Sequence, residues 1–435
     1  MALAVLFVSF SMMLNEIGLG AALVQRETLD DKVTRQVFGL ILLVNFVLFC
    51  LLVLLAPYIA GFFNEDRLTD VIRILSLQFL IMSFELVPMA LLERELNLKS
   101  KSIVQVIGHL AGGVTSLSLA LLGYGVWALV WGNIANGLCR TVGMNIVRPY
   151  FKWPSFSLQG MRSMVLFGGY VTGERLAWFF YNQADIFIVG KLFGKNLLGI
   201  YSVAMHLSSL IMQKTGEIIY TVSFPAFSLI QAEPRKISEY LLKAVRLMST
   251  LVFPMFIGMA SVSEELVFVL LGETWKAAAP ILQILCFVMP LRMLSNLLPP
   301  VLQGIGRPDV SLRNLMYAIV IMPIAFLIGS NWGLTGVGIA WVIAFPIVLL
   351  IMLSKALPLV GLKIKDFVGA MVLPAIFSAV MYAVIYAMKS MLLSEFDPAV
   401  RLIMLVMVGA IVYILLLLSF HRAAWDEMLD LVKRR

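Results

Sequence analysis

The stretch GLTGVGIAWVIAFPIVLLIMLSK, Gly333 to Lys355, carries no charged residue before its last position. At 1.5 Å per residue, a helix of that length crosses the roughly 30 Å hydrocarbon core of a bilayer. Comparable runs flank it at 311 to 330, 366 to 388 and 400 to 420. Others lie upstream at 1 to 24, 36 to 57, 70 to 92, 102 to 122, 124 to 147, 163 to 190, 196 to 218, 242 to 263 and 277 to 302, about thirteen candidate spans in all. Composition points the same way. Of 435 residues, 61% are hydrophobic and 13% charged, against about 25% charged in a soluble domain. No single soluble core could bury so much apolar surface. The expectation is an all-α polytopic membrane protein, which excludes most enzyme folds.

The net charge of +8 comes from Lys and Arg in short clusters between apolar runs. Anionic membrane lipids, and no nucleic acid, are therefore the expected partners of that charge. The clusters alternate along the chain. Arg26, Lys32 and Arg35; Arg94, Lys99 and Lys101; Arg148, Lys152 and Arg162; Arg235, Lys236, Lys243 and Arg246; Arg307 and Arg313; Lys355, Lys363 and Lys365; and Arg422, Lys433, Arg434 and Arg435 fall on one side. The intervening connections hold only Arg67, Lys191, Lys195, Lys276, Lys389 and Arg401. The positive-inside rule places the richer side and the C-terminus in the cytoplasm, and the turn from Lys191 to Asn196 outside. Met1 would then lie outside without a basic leader, so one upstream helix is expected to be missing. Cys50, Cys139 and Cys286 sit inside apolar runs without C-x-x-C spacing, and His109, His206 and His421 are scattered. No disulfide framework, metal site or cofactor is expected.

An internal repeat organises the spans. The stretches Val71 to Lys101 and Pro280 to Asn314 lie about 210 residues apart. Both carry an Ile-Leu pair near the start, a proline at Pro88 or Pro299, and a basic loop after the span. Gly123-Tyr-Gly-Val-Trp-Ala and Gly333-Leu-Thr-Gly-Val-Gly then open the next helix after a very short turn. Two pseudo-repeated lobes are expected, as in transporters with repeated halves. The boundaries read 1–147 for the N-terminal lobe, 148–162 for a cytoplasmic linker, 163–357 for the C-terminal lobe, and 358–435 for two additional helices and a basic tail.

Charged residues inside or at the edges of spans are the candidates for function, because a charge at the bilayer centre costs about 2.5 to 3.5 kcal/mol even on lenient scales. Arg175 and Arg292 fall near mid-membrane and suit an anionic ligand. Lys214 and Arg140 complete the cationic set, although Arg140 lies near enough to the cytoplasmic side to snorkel. The competing role is pairing with a carboxylate such as Glu174 or Glu85. Glu16, Glu85 and Glu174 are candidates for ion coupling, since buried carboxylates hold protons more tightly, or for helix pairing. Asp185 joins them, although its place with Asn182 before Gly190 and Gly194 favours a turn. Gly112-Gly113 and Gly168-Gly169 read as close helix packing.

Four stretches carry a resemblance over nearly the whole chain: NEIGLGAALVQRE (Asn15 to Glu27), FGGYVTGERLAWFFYNQADIFIVGKLFGKNLLGIYSVA (Phe167 to Ala204), FPAFSLIQ (Phe224 to Gln231) and LLGETWKAAAPILQILC (Leu270 to Cys286). In their order and spacing they resemble the polysaccharide (lipid-linked oligosaccharide) flippases of the multidrug/oligosaccharidyl-lipid/polysaccharide exporter superfamily, above all the colanic-acid and teichuronic-acid exporter branch. The resemblance implies two six-helix lobes and two extra helices around a central cavity lined by basic residues. Lys214 and Arg292 then fall where related exporters also look basic. The residues resembling the family's second helix begin at about Met1, so the first is absent.

The implied function is export of an undecaprenyl-diphosphate-linked oligosaccharide by alternating access, in the service of surface polysaccharide or lipopolysaccharide biosynthesis, with a polymerase and glycosyltransferases as expected protein partners. A cation-coupled multidrug exporter of the same fold would call for a more acidic and apolar cavity. A membrane polysaccharide polymerase would need a sizeable outer loop, which these short connections do not provide. The chain has no nucleotide-binding loop, and no enzymatic activity is expected.

Overall fold

The computed structural model describes residues 18–26, 29–63, 67–391 and 397–420. Among them, every regular element is a helix: α1 (Leu19–Gln25), α2 (Asp31–Phe63), α3 (Arg67–Arg94), α4 (Leu98–Leu121), α5 (Val126–Val147), α6 (Arg162–Leu229), α7 (Pro234–Ser261), α8 (Ser263–Leu271), α9 (Ala279–Ser295), α10 (Leu298–Gly304), α11 (Pro308–Gly329), α12 (Gly333–Ala356), α13 (Ile364–Met391) and α14 (Pro398–Phe420). Short 3-10 turns at Glu273–Ala278, Ser330–Trp332 and Leu357–Val360 join some of them. The all-α membrane architecture is as the apolar runs require.

Among the described residues, eight helical segments are long and apolar enough to cross a membrane, one of them, Pro308–Val360, containing both α11 and α12. Neither α5 nor α6 as a whole is among the eight, although about thirteen spans were expected. Both are long enough at 22 and 68 residues, but Asn133, Asn136, Arg140 and Asn145 interrupt α5, and Glu174, Arg175, Asn182 and Asp185 interrupt α6. Most of the candidate charges thus lie on these two helices. Of the expected span 1 to 24, everything before Gly18, Glu16 included, lies outside the described residues.

The α6 run is broken at Gly194, whose φ of 76° and ψ of −179° only glycine adopts without strain. This break falls inside the expected turn from Lys191 to Asn196. Asn182 and Asp185, by contrast, lie in helix before it rather than forming the turn themselves.

By internal packing the chain forms two compact units, residues 1–176 with 303–309, and residues 177–302 with 310–435. In the first, α2, α3 and α5 meet around Leu52, Ala56, Ala60, Leu68, Ile72, Leu75, Phe79 and Val130. Helix α4 lies close on α5, because a Cβ on Gly112 would stand 2.8 Å from the Gly132 carbonyl oxygen. Gly113, its neighbour in the expected packing pair, faces open space. In the second unit α13 and α14 pack with Val262 through Phe377, Met381, Ile385, Leu405, Tyr413 and Leu417.

The repeat is visible in the backbone. Arg94 and Gly304 end helices, Leu98 and Pro308 begin the next ones, and left-handed residues fall at Leu96 and Gly306, then at Gly123 and Gly333. Every pair is separated by 210 residues (94 to 304, 98 to 308, 96 to 306, 123 to 333). One copy departs: α3 is continuous through Pro88, whereas the matching segment breaks at Asn296 and Leu297 between α9 and α10.

Candidate functional site

Asp185 and Tyr201 are 16 residues apart, and a straight helix would hold them about 24 Å apart. The break at Gly194 folds the run back on itself, and the Tyr201 hydroxyl donates to Asp185 Oδ2 at 2.7 Å. The same oxygen accepts from Trp341 Nε1 of α12 at 3.2 Å, while Oδ1 accepts from the Ile186 backbone N–H at 2.8 Å. Asp185 is 1% exposed, and neutral donors cover both its oxygens.

Trp341, also 1% exposed, is fixed by these bonds and by Tyr181, Phe326 and Phe345 around its ring. On its face lies Arg292 of α9, with Cζ 4.1 Å from the ring centroid. This arrangement is a cation–π contact, strengthened where water is excluded. Arg292 Nη2 donates to Asn182 Oδ1 at 3.4 Å. Nη1 faces the sulfurs of Met205 and Met289 at 3.9 and 3.8 Å, which are weak acceptors. Arg292 is 6% exposed, yet among the described residues no carboxylate lies within ion-pair distance of it. A guanidinium offers five N–H donors in a fork that matches a carboxylate or phosphate. Here three of the five donors have an amide or thioether partner and none has a carboxylate among the described residues.

In the first unit the charges are arranged differently. Arg140 of α5 donates from Nε to Glu85 Oε1 of α3 at 3.0 Å, with a second contact from Nη2. Glu85 is buried, and glycine at position 108 leaves room for the arginine stem, since a Cβ there would stand 2.4 Å from Arg140 Cγ. Glu174 accepts from Gln303 Nε2 at 2.9 Å, which ties α6 to the end of α10. Arg175 is half-buried beside it in sequence. The side chain of Lys214 lies outside the described residues, as does Glu16.

Of the expected site residues, Asp185 and Arg292 thus come together, as do Glu85 and Arg140. The residues that join the first pair, Trp341 and Tyr201, were not foreseen. Tyr201 stands within the Phe167 to Ala204 stretch, and Trp341 is the one tryptophan in the Gly333 to Lys355 span, but neither carries a charge to draw attention to it.

Residues 1–280 match the model of a family described as polysaccharide biosynthesis protein. The chain belongs to that family. Among its relatives, the teichuronic acid biosynthesis protein TuaB of Bacillus subtilis is 26% identical over 97% of this chain and 88% of its own length. The lipopolysaccharide biosynthesis protein WzxC of Escherichia coli is 24% identical over 86% of this chain and 77% of its own. The fold of this polysaccharide biosynthesis family member is similar to that of the lipid II flippase MurJ in an inward closed conformation, at a TM-score of 0.66, 16% identity, 97% coverage of this chain and 92% of that one. A Vibrio cholerae MATE transporter, VcmN, gives a TM-score of 0.65 at 13% identity, covering 84% of this chain and 90% of its own. At 16% and 13% identity these likenesses show a shared fold.

Proposed function

We propose that the protein is a flippase that moves an undecaprenyl-diphosphate-linked oligosaccharide across the cytoplasmic membrane, from inner to outer leaflet, with its C-terminus in the cytoplasm. The halves 1–147 and 163–357 would rock to give alternating access through a cationic cavity, and the lipid tail would stay in the bilayer. Family membership and the flippase-like fold support transport of a lipid-linked glycan. The single observation that carries the site is Arg292, a buried guanidinium held by an indole, an amide and two thioethers, with no carboxylate within ion-pair distance among the described residues. We assign it to the diphosphate or to acidic sugars, with Arg175 and Lys214 along the same route. Arg140 and Glu85 are assigned to helix pairing, because their contact is direct. Glu174 and Asp185 serve as hydrogen-bond anchors in this reading. Energy would come from an ion gradient or from consumption of the product outside by a polymerase.

The test is glycan export in a strain that lacks its own flippase of this family. Arg292→Gln and Arg175→Gln should each lower export at unchanged protein abundance, and Lys at either position should rescue in part, because charge returns without the fork. If both Gln variants are abundant and export at the normal rate, the cationic mechanism fails at these positions. The MATE-like fold keeps a cation-coupled drug exporter as the second reading. Drug resistance conferred on the same strain, without glycan export, would establish that one instead.

A further inference from the structure

The segment 148–161, between α5 and α6, has no helix or strand from Pro149 to Leu158, yet it is held along its length. Arg35 Nε donates to the Trp153 carbonyl at 2.9 Å, and the Ser155 N–H donates to the Arg35 carbonyl at 2.9 Å. Gln36 Nε2 donates to the Gln159 carbonyl at 3.1 Å. Lys152 pairs with Asp31, Arg148 pairs with Glu95 at 3.0 Å, and Tyr150 packs edge-on against Phe38. At Gly39 a Cβ would stand 2.3 Å from the Ser155 carbonyl oxygen, so the strap lies directly on the α2 backbone. Every anchor belongs to the first turns of α2 or to the loop after α3.

Extended backbone sends alternate side chains to opposite faces. Lys152 points to α2, whereas Phe151 and Trp153 are 86% and 83% exposed, and Phe156 and Leu158 beyond Pro154 are exposed as well. The depth of this face follows from α2. Its candidate span, Asp31–Gly61, has 31 residues, a rise of about 46 Å against a hydrocarbon core of roughly 30 Å. The polar first turns, with Asp31, Lys32, Arg35 and Gln36, must stand in the headgroup layer, and the strap bonded to them stands there too. Lys32, Arg35 and Arg162 leave that end positive beyond the charge offset by Asp30 and the two ion pairs.

We propose that residues 149–159 form an interfacial anchor, with Phe151, Trp153, Phe156 and Leu158 inserted at the headgroup level of an anionic lipid leaflet. Aromatic side chains favour that depth, and basic flanks add attraction to anionic headgroups that a neutral bilayer lacks. The strap is then a fixed brace between the first compact unit and the lipid surface, not a free hinge. This inference does not depend on the transported substrate.

Spin labels test it in the full-length protein with its three cysteines replaced, reconstituted in vesicles of phosphatidylcholine with or without phosphatidylglycerol. Trp153→Cys keeps the backbone carbonyl that Arg35 binds. Labelled there, it should collide with oxygen several-fold more, relative to a water-soluble nickel complex, than a label at Lys152→Cys, whose side chain leaves on the opposite face toward α2, and the ratio should rise with phosphatidylglycerol. Equal nickel access at both positions overturns the anchor. An unchanged ratio on adding phosphatidylglycerol overturns the preference for anionic lipid. Dipolar broadening between labels at 153 on separate copies would overturn lipid as the occupant in favour of a second chain.

Discussion

The two copies of the repeat follow one backbone plan and carry different charges. In the first copy, Glu85 and Arg140 join α3 to α5 through a direct ion pair. The positions 210 residues later are Ser295 and Leu350, which carry no charge. In the second copy, Arg292 lies on Trp341, and its counterparts are Met82 and Trp131. Even the shared tryptophan differs: Trp131 is 44% exposed and Trp341 only 1%. The helix ends and turns are common property, whereas each buried charge was placed once, in one copy. Arg140 is neutralised by a carboxylate at hydrogen-bond distance, whereas Arg292 keeps its charge against an indole, an amide and two thioethers. On that difference rests the proposal that Arg140 pairs helices and Arg292 binds substrate.

The largest effect should come from breaking the first copy's pair. Glu85→Gln leaves Arg140 without its countercharge and should cost about 3 kcal/mol, the range for removing one partner of a buried pair. Thermal unfolding in detergent reads this loss. Replacing both by apolar residues, Glu85→Leu with Arg140→Met, should recover most of it, because an apolar pair of similar volume is often neutral in such sites. Export by the double variant should be close to normal. Lost export at normal abundance would make Arg140 a substrate contact and erase the contrast between the copies.

In the second unit, Asp185→Ala strands the proton of the buried Tyr201 hydroxyl, while the Trp341 indole N–H keeps Tyr201 Oη as an acceptor at 3.1 Å, at a cost of about 2 kcal/mol. Asp185→Asn keeps an acceptor oxygen and should cost clearly less. Equal losses for the two would mean that the carboxylate charge, acting on Arg292 through space, matters more than the hydrogen bonds. Arg292→Gln comes next. It removes a cation–π contact worth about 1 kcal/mol, so the protein should stay folded while export falls. A melting loss as large as that of Glu85→Gln would turn Arg292 into a structural residue as well.

How much of this was legible beforehand follows from what periodicity encodes. Apolar length fixes where a helix can begin and end, so the expected span 333 to 355 is observed as Gly333–Ala356, and the expected turn from Lys191 to Asn196 contains the break at Gly194. A charge inside or at the edge of an apolar run was legible as well, which is why Glu85, Arg140, Asp185 and Arg292 stood out. Partners were not. Glu85 and Arg140 are 55 residues apart, and Asp185 and Trp341 are 156 apart, so their meeting depends on helix rotation and crossing, which apolar stripes specify poorly when nearly every face is apolar. Asp185 was expected in a turn because glycines follow it, yet the helix continues past it for two more turns. Lone polar uncharged residues such as Gln303 and Tyr201 gave no signal of their own, because nothing in one sequence separates a buried hydroxyl with a partner from one facing lipid.

The smallest effect concerns the second unit's other ion cluster, where Lys389 Nζ stands 2.8 Å from Glu264 and 3.1 Å from buried Glu265, and Arg401 Nε stands 2.9 Å from Glu265. The hydrogen bond from Lys389 holds the Glu264 carboxyl below its usual range, against the opposing effect of partial burial. A carboxylate whose folded value is lowered adds stability that is present above its unfolded value and is lost as pH falls through the folded one. Glu264 is more than half exposed, so solvent screening limits its share to a few tenths of a kcal/mol, about 0.3. Glu264→Gln should therefore melt slightly below the parent protein at pH 7, and the gap should close on acidification below the ordinary carboxylate range. A gap that stays constant down to pH 3 would mean that packing, not charge, is what Glu264 contributes. Glu264 is far more exposed than Glu85, so a gap comparable to that of Glu85→Gln would mean that direct pairing, rather than burial of the pair, sets the cost of losing a carboxylate in this protein.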